Sequence, residues 1–263
     1  MMETNTLLKV NQLKKAFGGV MAVAGVSFEV KKNQIKSLIG PNGAGKTTIF
    51  NLISGVLSPL SGEVYFQNQN LIGMPPHQIC VMGISRTFQN VILFKRMTVL
   101  ENVMVGRHSK INTNLISSIF RSPAFKNAEK AIMNKAMELM AIVGLDRKAF
   151  EMAQNLPFGE QKLLEIARSL ATDPKLILLD EPAAGLNTAE LETIIRLIKK
   201  IREKGITVLL VEHNMRVVMD VSDEIVVLNF GEQIASGTPE EIKRNERVIQ
   251  AYLGKGVSFA RSK

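Results

Sequence analysis

The chain of 263 residues is 46% hydrophobic and 22% charged, a balance that indicates a folded core and excludes an intrinsically disordered protein. Apolar runs such as "LILL" (176–179) are strand-sized, far short of the roughly 20 residues of a membrane-spanning helix. The formal net charge of +9 fits either dispersed, solvated lysine pairs or a position near anionic lipid, and the absence of tryptophan and of any aromatic–basic interleaving predicts no nucleic-acid partner.

Strand-like and helical segments alternate along the chain. We predict strands at 26–30, 35–39, 63–66, 84–88, 176–180, 208–212 and 224–228, and helices at 46–54, 99–106, 128–143, 160–171, 189–204 and 214–221. Several of these strands are continuously apolar, which predicts a parallel sheet covered by helices on both faces. Partial alternation in the N-terminal strands predicts an antiparallel β-subdomain there.

Helical, Met-rich sequence replaces the strand pattern from about residue 95 to 160. We interpret this stretch as a helical subdomain inserted in the α/β fold, with methionines that fill its core. A single domain is predicted over residues 7–254, followed by a loose tail at 255–263. The single cysteine excludes an intramolecular disulfide and, with no signal-peptide pattern at the N-terminus, predicts a cytoplasmic protein.

The segment "GPNGAGKTT" has the spacing G-x-x-x-x-G-K-[ST] and lies between a predicted strand and a predicted helix. Its glycines allow successive backbone N–H groups to face phosphates, and the helix N-terminus adds partial positive charge. The Lys46 ammonium can reach the β- and γ-phosphates, and the Thr47 hydroxyl can bind Mg²⁺. This pattern predicts an ATP site formed by Gly40, Pro41, Asn42, Gly43, Ala44, Gly45, Lys46, Thr47 and Thr48.

Two acidic residues end the apolar strand in "LILLDEP". Such a strand end brings an aspartate to the metal in P-loop proteins, so we predict Asp180 as a Mg²⁺ ligand. Glu181, one residue further, can polarise a water for attack on the γ-phosphate. His213 follows the strand "TVLLVE", and a neutral imidazole there can hydrogen bond to a phosphate oxygen or to the attacking water. Together these residues predict ATP hydrolysis.

These segments, with "TFQN", "GEQKLLEIARSLATDPKLILLDEP", "AAGLN" and "VEHNM", resemble the ATP-binding subunits of ABC transporters in residue type and order. The resemblance covers residues 7 to 253. It implies a P-loop NTPase fold with a RecA-like ABC ATPase core, an N-terminal antiparallel β-subdomain and an inserted α-helical subdomain. "FGGVMAVAGVSFEV", "DEPAAGLN" and the ending "GTPEEI…VIQAYLG" most resemble the branched-chain amino acid importers within this superfamily.

The resemblance also implies roles for single residues. Phe17 stands where the adenine-stacking aromatic lies, and Gln89 where a glutamine contacts Mg²⁺ and water and senses the membrane subunit. His213 matches a histidine that acts at the γ-phosphate. Two chains pair head to tail in this superfamily, so Gly159 and Glu160 of one chain are expected to close on the ATP that the other holds.

The segment "LPFGE", residues 156–160 and hereafter the signature segment, departs from the superfamily pattern "LSGGQ". Pro157 lacks both the serine hydroxyl and a backbone N–H, and Phe158 replaces a glycine. Gly159 keeps the second glycine, and Glu160 is an accepted variant of glutamine. The helix N-terminus and the Gly159 N–H are therefore expected to carry more of the contact with the partner's nucleotide.

The resemblance implies the cytoplasmic face of the inner membrane as the location. The expected partners are two integral-membrane permease subunits, a second ATP-binding subunit or a second copy of this chain, and, indirectly, an extracytoplasmic substrate-binding protein. Two alternatives stay open from the sequence. One is the ATPase of lipopolysaccharide export, and the other is a soluble, non-transport ABC ATPase such as an iron–sulfur assembly component.

Overall fold

The computed structural model describes residues 5–107 and 123–253. Its elements, in chain order, are β1 (Thr6–Phe17), β2 (Val20–Lys31), β3 (Ile35–Ile39), α1 (Lys46–Ile53), β4 (Ser61–Phe66), β5 (Gln69–Asn70), α2 (Pro76–Met82), β6 (Ile84–Arg86), α3 (Val99–Arg107), α4 (Pro123–Val143), α5 (Phe158–Leu170), β7 (Leu176–Asp180), α6 (Thr188–Glu203), β8 (Thr207–Val211), α7 (Met215–Val221), β9 (Glu224–Asn229), β10 (Glu232–Gly237), α8 (Pro239–Arg244) and α9 (Glu246–Leu253).

A six-stranded sheet in the order β10-β9-β3-β8-β7-β6 forms the centre of the fold. Its pairs are parallel except for β9 with β10. Every residue of β3, β7 and β8 is buried, because both faces of these strands are covered. In β7, Ile177 and Leu179 pack into the cluster that holds α3 to α6, whereas Leu176 and Leu178 pack on the opposite face, toward α1.

The N-terminal strands form a second, antiparallel sheet in the order β2-β1-β4-β5. Its apolar face joins the cluster on the α1 side of the parallel sheet. β1 has no counterpart among the predicted strands, because a register shift between Val10 and Leu13 interrupts its alternation. Gln12 lies inside that shift and has a φ of 45°. The apolar residues before and after it therefore do not follow one continuous alternation.

Among the described residues between β6 and β7, the named elements are helices and short 3₁₀ turns, with no strand. α3 packs against α4 and α5, so the expected inserted helical subdomain is present. β6 ends at Arg86 and not at Phe88, because the Phe88 N–H donates to Glu165 Oε1 (3.2 Å) of α5 and leaves the sheet. The predicted α/β fold is therefore confirmed.

The C-terminal part contains β10, α8 and α9, which were not predicted. Thr238 caps α8 in a reciprocal pair with Glu241, and Val248 and Tyr252 of α9 pack on Ile39 and Val227. The predicted tail at 255–263 lies outside the described residues, and the domain boundaries stay a prediction. Within residues 5–107 and 123–253, no helix combines the length and apolarity needed to cross a membrane.

Candidate active site

A cleft of about 540 Å³ lies at the carboxyl end of β3 and collects most of the predicted site residues. Residues from five separate stretches of the chain meet here, three of them because the parallel strands β3, β7 and β8 all end at this edge of the sheet. The cleft is lined by Phe17, Ala22, Asn42, Gly43, Ala44, Gly45, Lys46, Thr47, Thr48, Gln89, Glu181 and His213.

The P-loop, residues 40–48, owes its path to two glycines. Gly40 has a φ of 152°, and a Cβ there would lie 2.2 Å from the Leu228 carbonyl oxygen. Gly45 precedes α1 with a φ of 101°, and its Cβ would lie 2.4 Å from the Ala22 carbonyl oxygen. Lys46 Nζ donates to the carbonyls of Gly40 (2.7 Å) and Pro41 (3.0 Å). The first N–H groups of α1 therefore face a cleft that suits an anion.

Glu181 lies at the wall of the cleft with two polar neighbours. Gln89 Nε2 donates to Glu181 Oε2 at 3.0 Å, and His213 Nδ1 lies 3.6 Å from the same oxygen. Glu181 is largely shielded, whereas the His213 side chain is 55% exposed. The three predicted hydrolytic residues thus form one contact group, within reach of a water that approaches from the P-loop side.

Asp180 is buried beside the cleft and paired with Arg86. Arg86 Nη2 donates to Asp180 Oδ2 (2.9 Å), and Arg86 Nη1 donates to Asn51 Oδ1 (2.7 Å) of α1 and to Ser54 Oγ (3.0 Å) at the C-cap of that helix. Burial raises the pKa of Asp180, and Arg86 opposes that rise. Arg86 was not predicted as a site residue; an arginine that follows a short apolar strand and precedes "TFQ" was the available indication.

The residues predicted for Mg²⁺ fit an ion that prefers oxygen ligands. Asp180 Oδ1 is buried without a hydrogen-bond partner in the described part of the chain, while Thr47 and Gln89 line the cleft. No cluster of three or more His, Cys, Asp or Glu side chains with metal-site spacing occurs among the described residues. A site of one carboxylate, one hydroxyl and one amide therefore agrees with a metal held mainly by phosphate and water.

Glu212, a second residue that was not predicted, connects the ends of β7 and β8. Its buried carboxylate accepts the backbone N–H groups of Ala183 (2.8 Å), His213 (2.9 Å) and Asn214 (2.9 Å). An acid directly after the buried run "VLLV" was the available indication. Glu212 fixes the backbone on which His213 stands, so it positions a predicted hydrolytic residue.

Phe17 and the signature segment occupy different parts of the surface. Phe17, at the end of β1, lines the cleft and is 47% exposed, with Lys15 Nζ 5.3 Å from its ring centroid. Gly159 and Glu160 do not line the cleft; Gly159 is buried, and Glu160 pairs with Lys148 (2.6 Å). Gly159 and Glu160 are therefore not among the residues that line the P-loop cleft of their own chain.

Comparisons with known proteins agree with this architecture. The family described as "ABC transporter" matches residues 23–184, and the family described as "Branched-chain amino acid ATP-binding cassette transporter" matches residues 232–258. The high-affinity branched-chain amino acid transport ATP-binding protein LivG of Salmonella typhimurium is 47% identical over 94% of this chain and 98% of its own length.

Two solved structures are also similar. The ADP conformation of MJ1267, an ATP-binding cassette of an ABC transporter, has a TM-score of 0.83 and 35% identity, covering 96% of this chain and all of that one. A dimeric post-hydrolysis state of the cassette MJ0796, bound to ADP and Pi, has a TM-score of 0.76 and 28% identity, over 89% of this chain and 99% of its own. The similarity therefore extends over sequence and fold together.

Proposed function

The chain belongs to the family of ABC transporter ATP-binding proteins, and from that membership we propose that it is the ATP-hydrolysing subunit of a branched-chain amino acid importer. One observation carries the catalytic part of the proposal: the Glu181 carboxylate contacts both Gln89 and His213 at the wall of the P-loop cleft. The match of residues 232–258 to the branched-chain group favours import over lipopolysaccharide export and over an iron–sulfur assembly role.

Each group has a task in this proposal. The P-loop N–H groups and Lys46 bind the β- and γ-phosphates of ATP, and Phe17 stacks on the adenine. Glu181 accepts a proton from the attacking water, and His213 hydrogen bonds to the γ-phosphate. Thr47, Gln89 and Asp180 would hold Mg²⁺, which when bound neutralises charge on the phosphate oxygens.

In this proposal two ATP-binding subunits close head to tail, and the similar cassette MJ0796 is itself described as dimeric. The signature segment of one subunit then faces the nucleotide of the other, and the partner is either a second copy or a sister subunit. Closure pulls on two permease subunits through the surface near Gln89, at the cytoplasmic face of the inner membrane. An extracytoplasmic binding protein delivers the amino acid, and no nucleic acid takes part.

Substitution of Glu181 tests the proposal directly. In the full chain, Glu181→Gln should retain ATP binding, abolish hydrolysis and accumulate an ATP-bound dimer in size-exclusion chromatography. Glu203→Gln, at an exposed position at the end of α6, is the matched control and should hydrolyse ATP normally. Normal turnover in Glu181→Gln would remove Glu181 from the catalytic role.

The transport assignment needs its own experiment. The chain, coexpressed with the permeases of a branched-chain amino acid importer, should copurify with them, and leucine with the binding protein should stimulate ATP hydrolysis in proteoliposomes. A complex stimulated by lipopolysaccharide, or a chain that copurifies with assembly proteins only, would contradict the importer assignment.

A further inference from the structure

The signature segment packs against the loop that carries Glu181 in the same chain. The Phe158 ring lies on Gly185, where an added Cβ would come within 3.2 Å of Phe158 Cε1. A Cβ on Gly159 would lie 2.4 Å from Glu190 Oε1, on the first turn of α6. Phe158, which replaces the glycine of the superfamily pattern, therefore forms a contact between the signature segment and the loop that follows Glu181.

Lys162, one turn into α5, extends this contact to the hydrolysis site. Its side chain is buried, and Nζ donates to the Glu181 carbonyl oxygen at 2.9 Å. The same Nζ lies 5.5 Å from the centroid of the Phe158 ring, within the range of a cation–π interaction. Burial lowers the pKa of Lys162, while the nearby carboxylates of Glu212 and Glu165 counteract this effect.

The backbone of Glu181 needs such support. Its φ is 49°, a left-handed conformation that is unfavourable for a residue with a side chain. The Glu181 N–H donates to the Val211 carbonyl (2.8 Å), and the Glu181 carbonyl accepts from Lys162 and from the Ala184 N–H (3.2 Å). These bonds fix both peptide groups of Glu181 and hence the direction of its side chain.

We propose that Lys162, steadied by the Phe158 ring, is a positioning residue that holds Glu181 in its left-handed conformation and so aims its carboxylate into the cleft. The pair then ties the signature segment, which faces the partner's nucleotide, to the hydrolysis site of its own chain. A shift of Phe158 on dimer closure would be transmitted to Glu181 through Lys162. This inference rests on the proposed ATPase function.

Steady-state hydrolysis by the full chain, together with equilibrium binding of a fluorescent ATP analogue and thermal unfolding, tests the proposal. Lys162→Met should lower kcat by about tenfold or more, because small displacements of a reacting group are costly, while leaving the nucleotide Kd unchanged. Lys162→Arg, which can still donate to the Glu181 carbonyl, should restore most of kcat. Lys204→Met, at an exposed position after α6, is the matched control.

Phe158 supplies the second arm of the test. Phe158→Leu keeps an apolar side chain but loses the aromatic face, so kcat should fall about threefold, whereas Phe158→Tyr, which retains that face, should lose less of kcat than Phe158→Leu. In the Lys162→Met background, Phe158→Leu should lower kcat by less than it does in the unsubstituted chain, because the contact of the ring with the ammonium is already absent.

Three outcomes are decisive. A wild-type kcat in Lys162→Met would overturn the inference. So would a parallel loss of nucleotide binding and thermal stability without rescue by arginine, since that pattern indicates a structural role only. Absence of hydrolysis in the unsubstituted chain would instead count against the proposed function itself.

Discussion

Arg86 Nη2 lies 2.9 Å from Asp180 Oδ2, and both side chains are almost fully buried. The second guanidinium nitrogen, Nη1, donates to Asn51 of α1 and to Ser54 at its C-cap, and the Phe50 and Phe88 rings lie near the cation. A single arginine therefore joins the helix that follows the P-loop to the strand that ends in the predicted metal ligand. An arginine suits this position because its planar guanidinium can donate hydrogen bonds to two groups at once.

Replacement of Arg86 should destabilise the fold strongly. Arg86→Met leaves the Asp180 carboxylate buried and unpaired, and we expect a loss of about 3–5 kcal/mol in the free energy of unfolding. Because protonation of Asp180 removes the unpaired charge, this loss should shrink as pH is lowered. Urea denaturation measures both effects, without nucleotide or metal.

The matched variants separate charge from geometry. Arg86→Lys keeps the charge but loses the second set of N–H donors, so the stability of this variant should lie between those of wild type and Arg86→Met. Combining Arg86→Met with Asp180→Asn should cost less than the sum of the two single changes. Strictly additive changes in the free energy of unfolding would show that Arg86 and Asp180 have no interaction energy.

Glu165 of α5 should make stability depend on pH. Burial raises its pKa, although the Phe88 N–H and Arg168 oppose the rise. The folded state therefore holds the Glu165 proton more tightly than the unfolded state. The contribution of Glu165 to the free energy of unfolding is complete below the ordinary pKa of a glutamate and is lost as pH rises through the raised pKa.

Glu165→Gln supplies a neutral acceptor for the Phe88 N–H at every pH. The unfolding free energy of this variant, relative to wild type, should therefore increase as the pH is raised from about 4 to about 8. Urea midpoints across that range measure it, with the exposed Glu203→Gln as control. A difference independent of pH would show that burial of the Glu165 carboxylate has no net cost.

Residues that act through one contiguous segment were predictable, and residues that act across the fold were not. The P-loop needs only its own glycines and the helix start at Lys46, so its sequence specifies its shape. Roles for Asp180 and Glu181 could be predicted, and stay predictions, because a buried strand that ends in acids has one common use in P-loop proteins. Lys162 meets the Glu181 carbonyl only because α5 packs beside β7, and no spacing rule encodes that contact.

The same limit applies to β1 and Arg86. The alternation that identifies a strand fails in β1, since the bulge near Gln12 shifts the phase of its apolar residues. Arg86 reads as a surface cation beside "TFQ", and only the tertiary structure places Asp180 against it, 94 positions further along the chain. Long-range pairing of charges is therefore the information that a single sequence lacks.

Pro157 begins α5 without a capping side chain. It is the N-cap residue, with φ −54° and ψ 153°, and its side chain makes no hydrogen bond to the first N–H groups of the helix. Serine adopts these angles readily and caps helices well, worth about 1 kcal/mol. Loss of the proline ring increases the conformational entropy of the unfolded chain, which lowers the free energy of unfolding by about 0.4–1 kcal/mol. Because the two effects oppose each other, we expect little net change in stability for Pro157→Ser.

The effect of Pro157→Ser should appear in dimerisation. Its hydroxyl would face the nucleotide of the partner subunit, and a hydrogen bond to a charged oxygen contributes about 1.5–3 kcal/mol. In the Glu181→Gln background, the ATP-dependent dimer should therefore tighten by about tenfold or more, measured by analytical ultracentrifugation. Pro157→Ala removes the ring without adding a donor and should not tighten it. Equal dimerisation of the serine and alanine variants would show that the hydroxyl makes no contact, and that Gly159 and the α5 N-terminus suffice.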